Sequence, residues 1–111
     1  METIRQSKVA RLMQKELGQY FQHDGSVLAP GGMVTVTMVR MSPDLGLAKV
    51  YLSVFPSNKA EDAMKEINSA TKSIRYQIAK IVRHQLRIVP DFLFYLDDSL
   101  DYADKIDDLL K

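Results

Sequence analysis

The chain has 111 residues, of which 46% are hydrophobic, and its 15 Lys and Arg almost balance 14 Asp and Glu. That suits one domain over residues 1–111, long enough to bury about 65% of its unfolded surface and too apolar for disorder. The lack of cysteine excludes disulfides and thiolate zinc sites. No apolar run approaches the ~20 residues of a membrane span, and residues 1–5 open no signal-peptide core, so a cytoplasmic protein is expected.

Residues 3–22 read as a first helix. Ile4, Val9, Leu12, Met13, Glu16, Leu17, Tyr20 and Phe21 form its inner stripe. Thr3 and Gln6 have the spacing of a capping box, and Arg5, Lys8, Arg11 and Lys15 share one flank. Residues 24–32, with Gly25, Pro30, Gly31 and Gly32, read as a loop. No Lys-Ser/Thr pair or helix start follows these glycines, so they make no phosphate-cradling loop.

Two alternating runs, 33–41 and 47–55, predict a β-hairpin. In the first, Val34, Val36 and Met38 are expected on one face, with Thr35, Thr37 and Val39 on the other. In the second, Ala48, Val50, Leu52 and Val54 oppose Leu47, Lys49, Tyr51, Ser53 and Phe55. Between them Pro43 and Gly46 mark a turn. Asn58 is placed to cap the next helix, with Glu61 and Asp62 in its first turn. The helical pattern from Lys59 to about Gln85 is long for a small domain, so a break is predicted where Ser69, Thr71 and Ser73 cluster. Phe92, Phe94 and Leu96 alternate with Leu93 and Tyr95 as a third strand. Asp97 and Asp98 then open a last helix with Tyr102, Ile106 and Leu109 on one side. The order αββααβ plus a C-terminal helix describes an α+β domain, a three-stranded sheet covered by helices.

Charge is segregated along this order. Six of the 14 acids lie in the last 15 residues. Between Ile67 and Pro90 there is no acid, while Lys72, Arg75, Lys80, Arg83 and Arg87 are all present. At helical spacing Ile67, Ala70, Ile74, Ile78, Ile81 and Ile88 form an apolar stripe, and Lys72, Tyr76, Lys80, Arg83 and Arg87 fall opposite it. A cationic, Tyr-bearing face is suited to a polyanion. A solvated surface helix is the competing reading, but such helices usually mix signs because i,i+4 opposite pairs stabilise them. Asp97, Asp98 and Asp101 have the oxygen chemistry of a divalent-metal site, yet a helix start already accounts for them. His23 and His84 lack partners at ligand spacing, and Ser42, Ser53 and Ser99 lack a nucleophile context.

The run Arg87-Ile88-Val89-Pro90-Asp91-Phe92-Leu93-Phe94-Tyr95-Leu96-Asp97-Asp98-Ser99 resembles the ribosome-binding factor A family, whose pattern there is a basic residue, x-x-Pro, alternating apolar positions with Phe, and Asp-x-Ser. The hairpin, 34–54, and Arg5-Gln6-Ser7-Lys8-Val9-Ala10-Arg11-Leu12 resemble two further parts of that family, so the resemblance spans the chain. It implies a type II KH-like fold and a non-enzymatic, cofactor-free assembly factor. That factor binds free 30S subunits and 16S rRNA, assists late maturation and 5′-end processing, and matters for cold adaptation. Ordinary KH domains clamp the backbone with Gly-x-x-Gly; this family has an Ala-x-Gly kink instead, and the matching residues are Ala70-Thr71-Lys72. The expected RNA-binding set is Lys72, Arg75, Tyr76, Lys80, Arg83 and Arg87, with Arg5, Lys8 and Arg11 as a second group. The chain is expected to act as a monomer, with a basic small-subunit protein as a further partner for its acidic end. A protein-interaction module of the same fold, whose basic face meets only solvent, is the alternative.

Overall fold

The structure is a computed structural model that describes residues 3–97, the side chains of 25–28 excepted. The expected C-terminal helix, with Ser99 and all the late acids but Asp97, lies outside the described residues. Helix α1, Ile4–Leu28, leads into strands β1, Met33–Met41, and β2, Leu47–Phe55. A 3-10 turn, Ser57–Lys59, precedes helices α2, Ala60–Ser69, and α3, Thr71–Val82, and strand β3, Asp91–Leu96, follows. The sheet order is β1-β2-β3, with β1 antiparallel and β3 parallel to β2. A parallel neighbour needs a long return path, and α2 with α3 supplies it.

The start of α1 is the expected capping box. The Thr3 amide donates to Gln6 Oε1 at 2.8 Å and the Gln6 amide to Thr3 Oγ1 at 3.1 Å. The Gln6 amide nitrogen Nε2 also donates to the Met41 carbonyl at 3.1 Å, in a buried setting, and so ties the helix start to the end of β1. Replacing Gln6 by Ala is expected to cost about 1–3 kcal/mol, because a buried carbonyl loses its donor. Thr3→Ala, which removes only the cap, should cost ~1 kcal/mol; urea unfolding of the two variants checks the order. Ile4, placed in the inner stripe by its spacing, is exposed. The helix also runs past residue 22 to Leu28, where a loop was expected. Gly25 is tolerated inside it at a cost of ~1 kcal/mol. The stop lies at Ala29–Gly32, where the Gly32 amide donates to the Ala29 carbonyl and Gly31 takes a φ of 77°.

The hairpin forms with the expected turn, but β1 does not keep one phase. Val36 pairs with Leu52 and Met38 with Tyr51, so Thr37 is an extra residue in a β-bulge. Val34 and Val36 face the core before it, and Val39 and Met41 after it, whereas Met38 turns outward. The Thr37 hydroxyl lies 3.2 Å from the Tyr51 carbonyl and 2.6 Å from Asp97 Oδ2, and its single proton serves one of these acceptors at a time. In β2, Ala48, Val50, Leu52 and Val54 all point inward, as read from the sequence, and Phe92 and Phe94 of β3 join them. Leu96, expected beside them, is exposed at the end of the strand.

The three helices cover this one sheet face. Met13, Leu17 and Phe21 of α1, Ala63 and Ile67 of α2, and Ile74, Ile78 and Val82 of α3 close the core. Asn58 is not the cap of α2: it lies inside the 3-10 turn, and Lys59 takes the capping position without a side-chain bond. The long helical pattern breaks at Ala70, within the predicted window. Ala70 has φ −96° and ψ 7°, and the Thr71 hydroxyl lies 3.2 Å from the Ile67 carbonyl and 3.0 Å from that of Asn68. The corner turns at Ala70, and Lys72, in the place of the family's glycine, lies in the first turn of α3.

Candidate nucleic-acid interface

Helix α3 presents most of the expected cationic set. Its buried line follows the i+4 ridge Ile74, Ile78, Val82, so Lys72, Tyr76 and Lys80 stand on the solvent side, and Arg83, which caps the helix, is exposed as well. Ile81 falls at the margin of that ridge and is exposed, contrary to its expected place in the core. Lys80 Nζ sits 5.3 Å from the centre of the Tyr76 ring, so one face of that ring already carries a cation. Arg87 and Ile88 lie beyond the helix, which ends at Val82; both are exposed, and neither belongs to the helical faces that the spacing gave them. His84 also lies past the helix end, and His23 lies within α1 rather than at its terminus.

Arg75 is engaged within the chain. Its Nε donates to the Pro90 carbonyl at 3.1 Å and Nη2 to the Val89 carbonyl at 2.7 Å, while Nε lies 3.2 Å from Asp91 Oδ1. One guanidinium therefore pins the connection from α3 to β3, and the fork geometry that suits phosphate is spent on these carbonyls. Nothing in a sequence period signals this, because the partners lie 14 to 15 residues away.

Pinning that connection builds a groove of about 580 Å³. Arg5, Lys8, Val9 and Leu12 of α1 form one side, Pro43, Asp44 and Leu45 of the hairpin turn another, and Leu86, Arg87 and Ile88 the third. Arg87 of the first cation group thus meets Arg5 and Lys8 of the second here, while Lys72, Lys80 and Arg83 lie outside the groove. Arg11 is exposed on the same helix but does not line the groove. Among the described residues, ion pairs join Lys65 to Glu61 and Arg75 to Asp91, and none takes up Arg5, Lys8, Arg11, Lys72, Lys80, Arg83 or Arg87. No group of three His, Cys, Asp or Glu among the described residues is placed to hold a metal.

The hairpin turn is braced by Asp44. Its Oδ1 accepts from Ser42 Oγ at 2.6 Å and from the Gly46 amide at 3.0 Å, and Leu45 takes a left-handed φ of 62°. The left-handed residue of the turn is thus Leu45, and Gly46 follows it. The Ser42 hydroxyl first, then the Gly46 amide, holds the Asp44 carboxyl below the usual aspartate range. A depressed folded pKa contributes stability above the unfolded value, and that contribution is lost as pH falls through the folded one. An NMR titration should therefore find Asp44 titrating below an ordinary aspartate, and amide protection at Gly46 should fall in the same acid range.

An αββααβ domain with one parallel edge strand, a sharp α2–α3 corner and helices on one sheet face is a KH-like fold. The crystal structure of ribosome-binding factor A from Thermus thermophilus superposes with a TM-score of 0.67 at 21% identity, over 82% of this chain and 94% of that one. A homology model of the Thermus protein, fitted into a cryo-EM map of a 30S complex, gives 0.64 at 23% identity over 78% and 89%. The chain belongs to the ribosome-binding factor A family, whose sequence model matches residues 5–110. It is 44% identical to ribosome-binding factor A of Cytophaga hutchinsonii over 99% of this chain and 83% of that relative. For the same factor of Christiangramia forsetii the identity is 42%, over 99% and 85%.

Proposed function

We propose that this protein is a non-enzymatic, cytoplasmic assembly factor that binds the immature 30S subunit through 16S rRNA and assists late maturation and 5′-end processing of that RNA. The observation that carries the reading is near-full-length likeness to proteins described as ribosome-binding factors. The exposed cations, none of them ion-paired among the described residues, supply the physical means. Lys72 and Lys80 on α3, Arg83 and Arg87 after it, and Arg5, Lys8 and Arg11 on α1 would contact phosphate, releasing counterions and giving affinity without base readout. Arg75 supports these contacts by fixing the α3–β3 connection. Tyr76, with a cation on one ring face, has its other face for stacking.

Sedimentation tests the reading. The protein should co-migrate with free small subunits in a sucrose gradient and stay out of the translating-ribosome fractions. Migration at the top of the gradient, with retention on protein partners only, would favour the interaction module instead.

A further inference from the structure

We infer that the groove between α1, the β1–β2 turn and the segment after α3 holds one unpaired nucleotide of the bound RNA, its base on the aliphatic floor and its phosphate on Arg5, Lys8 and Arg87. This rests on the RNA-binding reading above and adds to it a site and a ligand class. A stripe of cations is enough to track duplex phosphates, and an apolar floor adds nothing to that task. Here the floor is substantial: Leu12, Leu45, Leu86 and Ile88 line it. Ile88 is 69% exposed, a large aliphatic side chain left in water at the groove wall. The volume of about 580 Å³ lies in the range of ligand sites, roughly 300–1,000 Å³.

Two features set the charge and shape for this ligand. The acid in the lining, Asp44, already accepts from Ser42 and Gly46, and forms no ion pair with the three cations. Leu45 contributes to the wall from a left-handed backbone, a conformation that is uncommon for a branched residue and that clusters at functional sites. The α2–α3 corner, where KH domains usually clamp nucleic acid, lies at the opposite end of α3 from this groove. An unpaired base is the least costly base to take out of a stack, and a floor without fixed polar partners would accept any base.

The test uses the full chain and two hairpin RNAs, one fully paired and one with a single bulged 2-aminopurine, read by fluorescence and by methyl NMR. The bulged hairpin should bind about tenfold tighter, and the Leu86 and Ile88 methyls should shift with it alone. Ile88→Ser, at an exposed position, should remove that preference while leaving the salt dependence of the paired hairpin unchanged. Equal binding of the two hairpins, with Leu86 and Ile88 unmoved, overturns the groove assignment and leaves the phosphate reading standing. Failure of both hairpins and of small subunits to bind overturns the two together. If neutralising Asp104 and Asp107 in the RNA-free protein shifts these methyls, the groove belongs to the chain's own acidic end, and the assignment falls.

Discussion

Reversing Lys72, Lys80 and Arg83 to Glu together is expected to lower affinity for small subunits by at least about 500-fold at 0.1 M salt, with the fold intact. Each phosphate contact adds roughly 0.9 to the log–log salt slope, so at 0.1 M each is worth about eightfold. Removing three should flatten the slope by about 2.7, and reversal adds repulsion on top. The fold is spared because all three side chains are exposed and none takes part in an ion pair among the described residues. Lost inside the chain is the Lys80–Tyr76 contact, worth about 0.5–1 kcal/mol. Arg75 is left out of the triple because its reversal would release Val89, Pro90 and Asp91 and confuse a folding loss with a binding loss. Binding measured from about 50 to 300 mM salt, beside a urea midpoint, separates the two. An unchanged slope in a folded triple variant would end the account of α3 as a phosphate-binding face.

The elements were legible because their signals are local. The capping box at Thr3 and Gln6 lies within one turn, the alternation of β2 is strict, and the Thr71 hydroxyl competes for carbonyls in its own neighbourhood. What the sequence hid depends on contacts between distant segments. A bulge is a register event between two strands, so the alternation of β1 gave no warning that Thr37 would stand unpaired. The glycine at position 25 looked like a helix stop, but Pro30 and Gly31 provide a stronger one. At the site, charge could be read from composition while availability could not. Arg75 within α3 and Arg83 at its C-cap are the same residue type, yet among the described residues only the first meets carbonyls from the α3–β3 connection. The groove likewise needed the third dimension, since its walls come from three segments spread between residues 3 and 88.

Replacing Phe94 by Ala should remove about 3–5 kcal/mol, a large share of the roughly 5–15 kcal/mol that holds a domain of this kind together. Phe94 is 6% exposed and stands where the parallel edge strand meets the first helix. Its ring lies edge-on to Phe21 at 6.0 Å and tilted to Phe92 at 5.9 Å, and its strand partner Val50 is fully buried. Aromatic pairing accounts for only about 0.5–1.5 kcal/mol per pair, so the larger part is the cavity and the lost apolar burial. Neighbours cannot readily close that cavity, because Phe21 is held by α1 and Val50 by the central strand. Phe94→Leu, which keeps most of the volume, should cost no more than about 1.5 kcal/mol. The midpoint of urea unfolding should fall for the Ala variant with the denaturant slope unchanged. A cost below about 1 kcal/mol would mean that β3 is not clamped onto α1 by this ring. Since β3 anchors one end of the connection that Arg75 pins, the Ala variant should also loosen the groove. Its amides at residues 86–89 should exchange faster than those of the Leu variant at equal temperature.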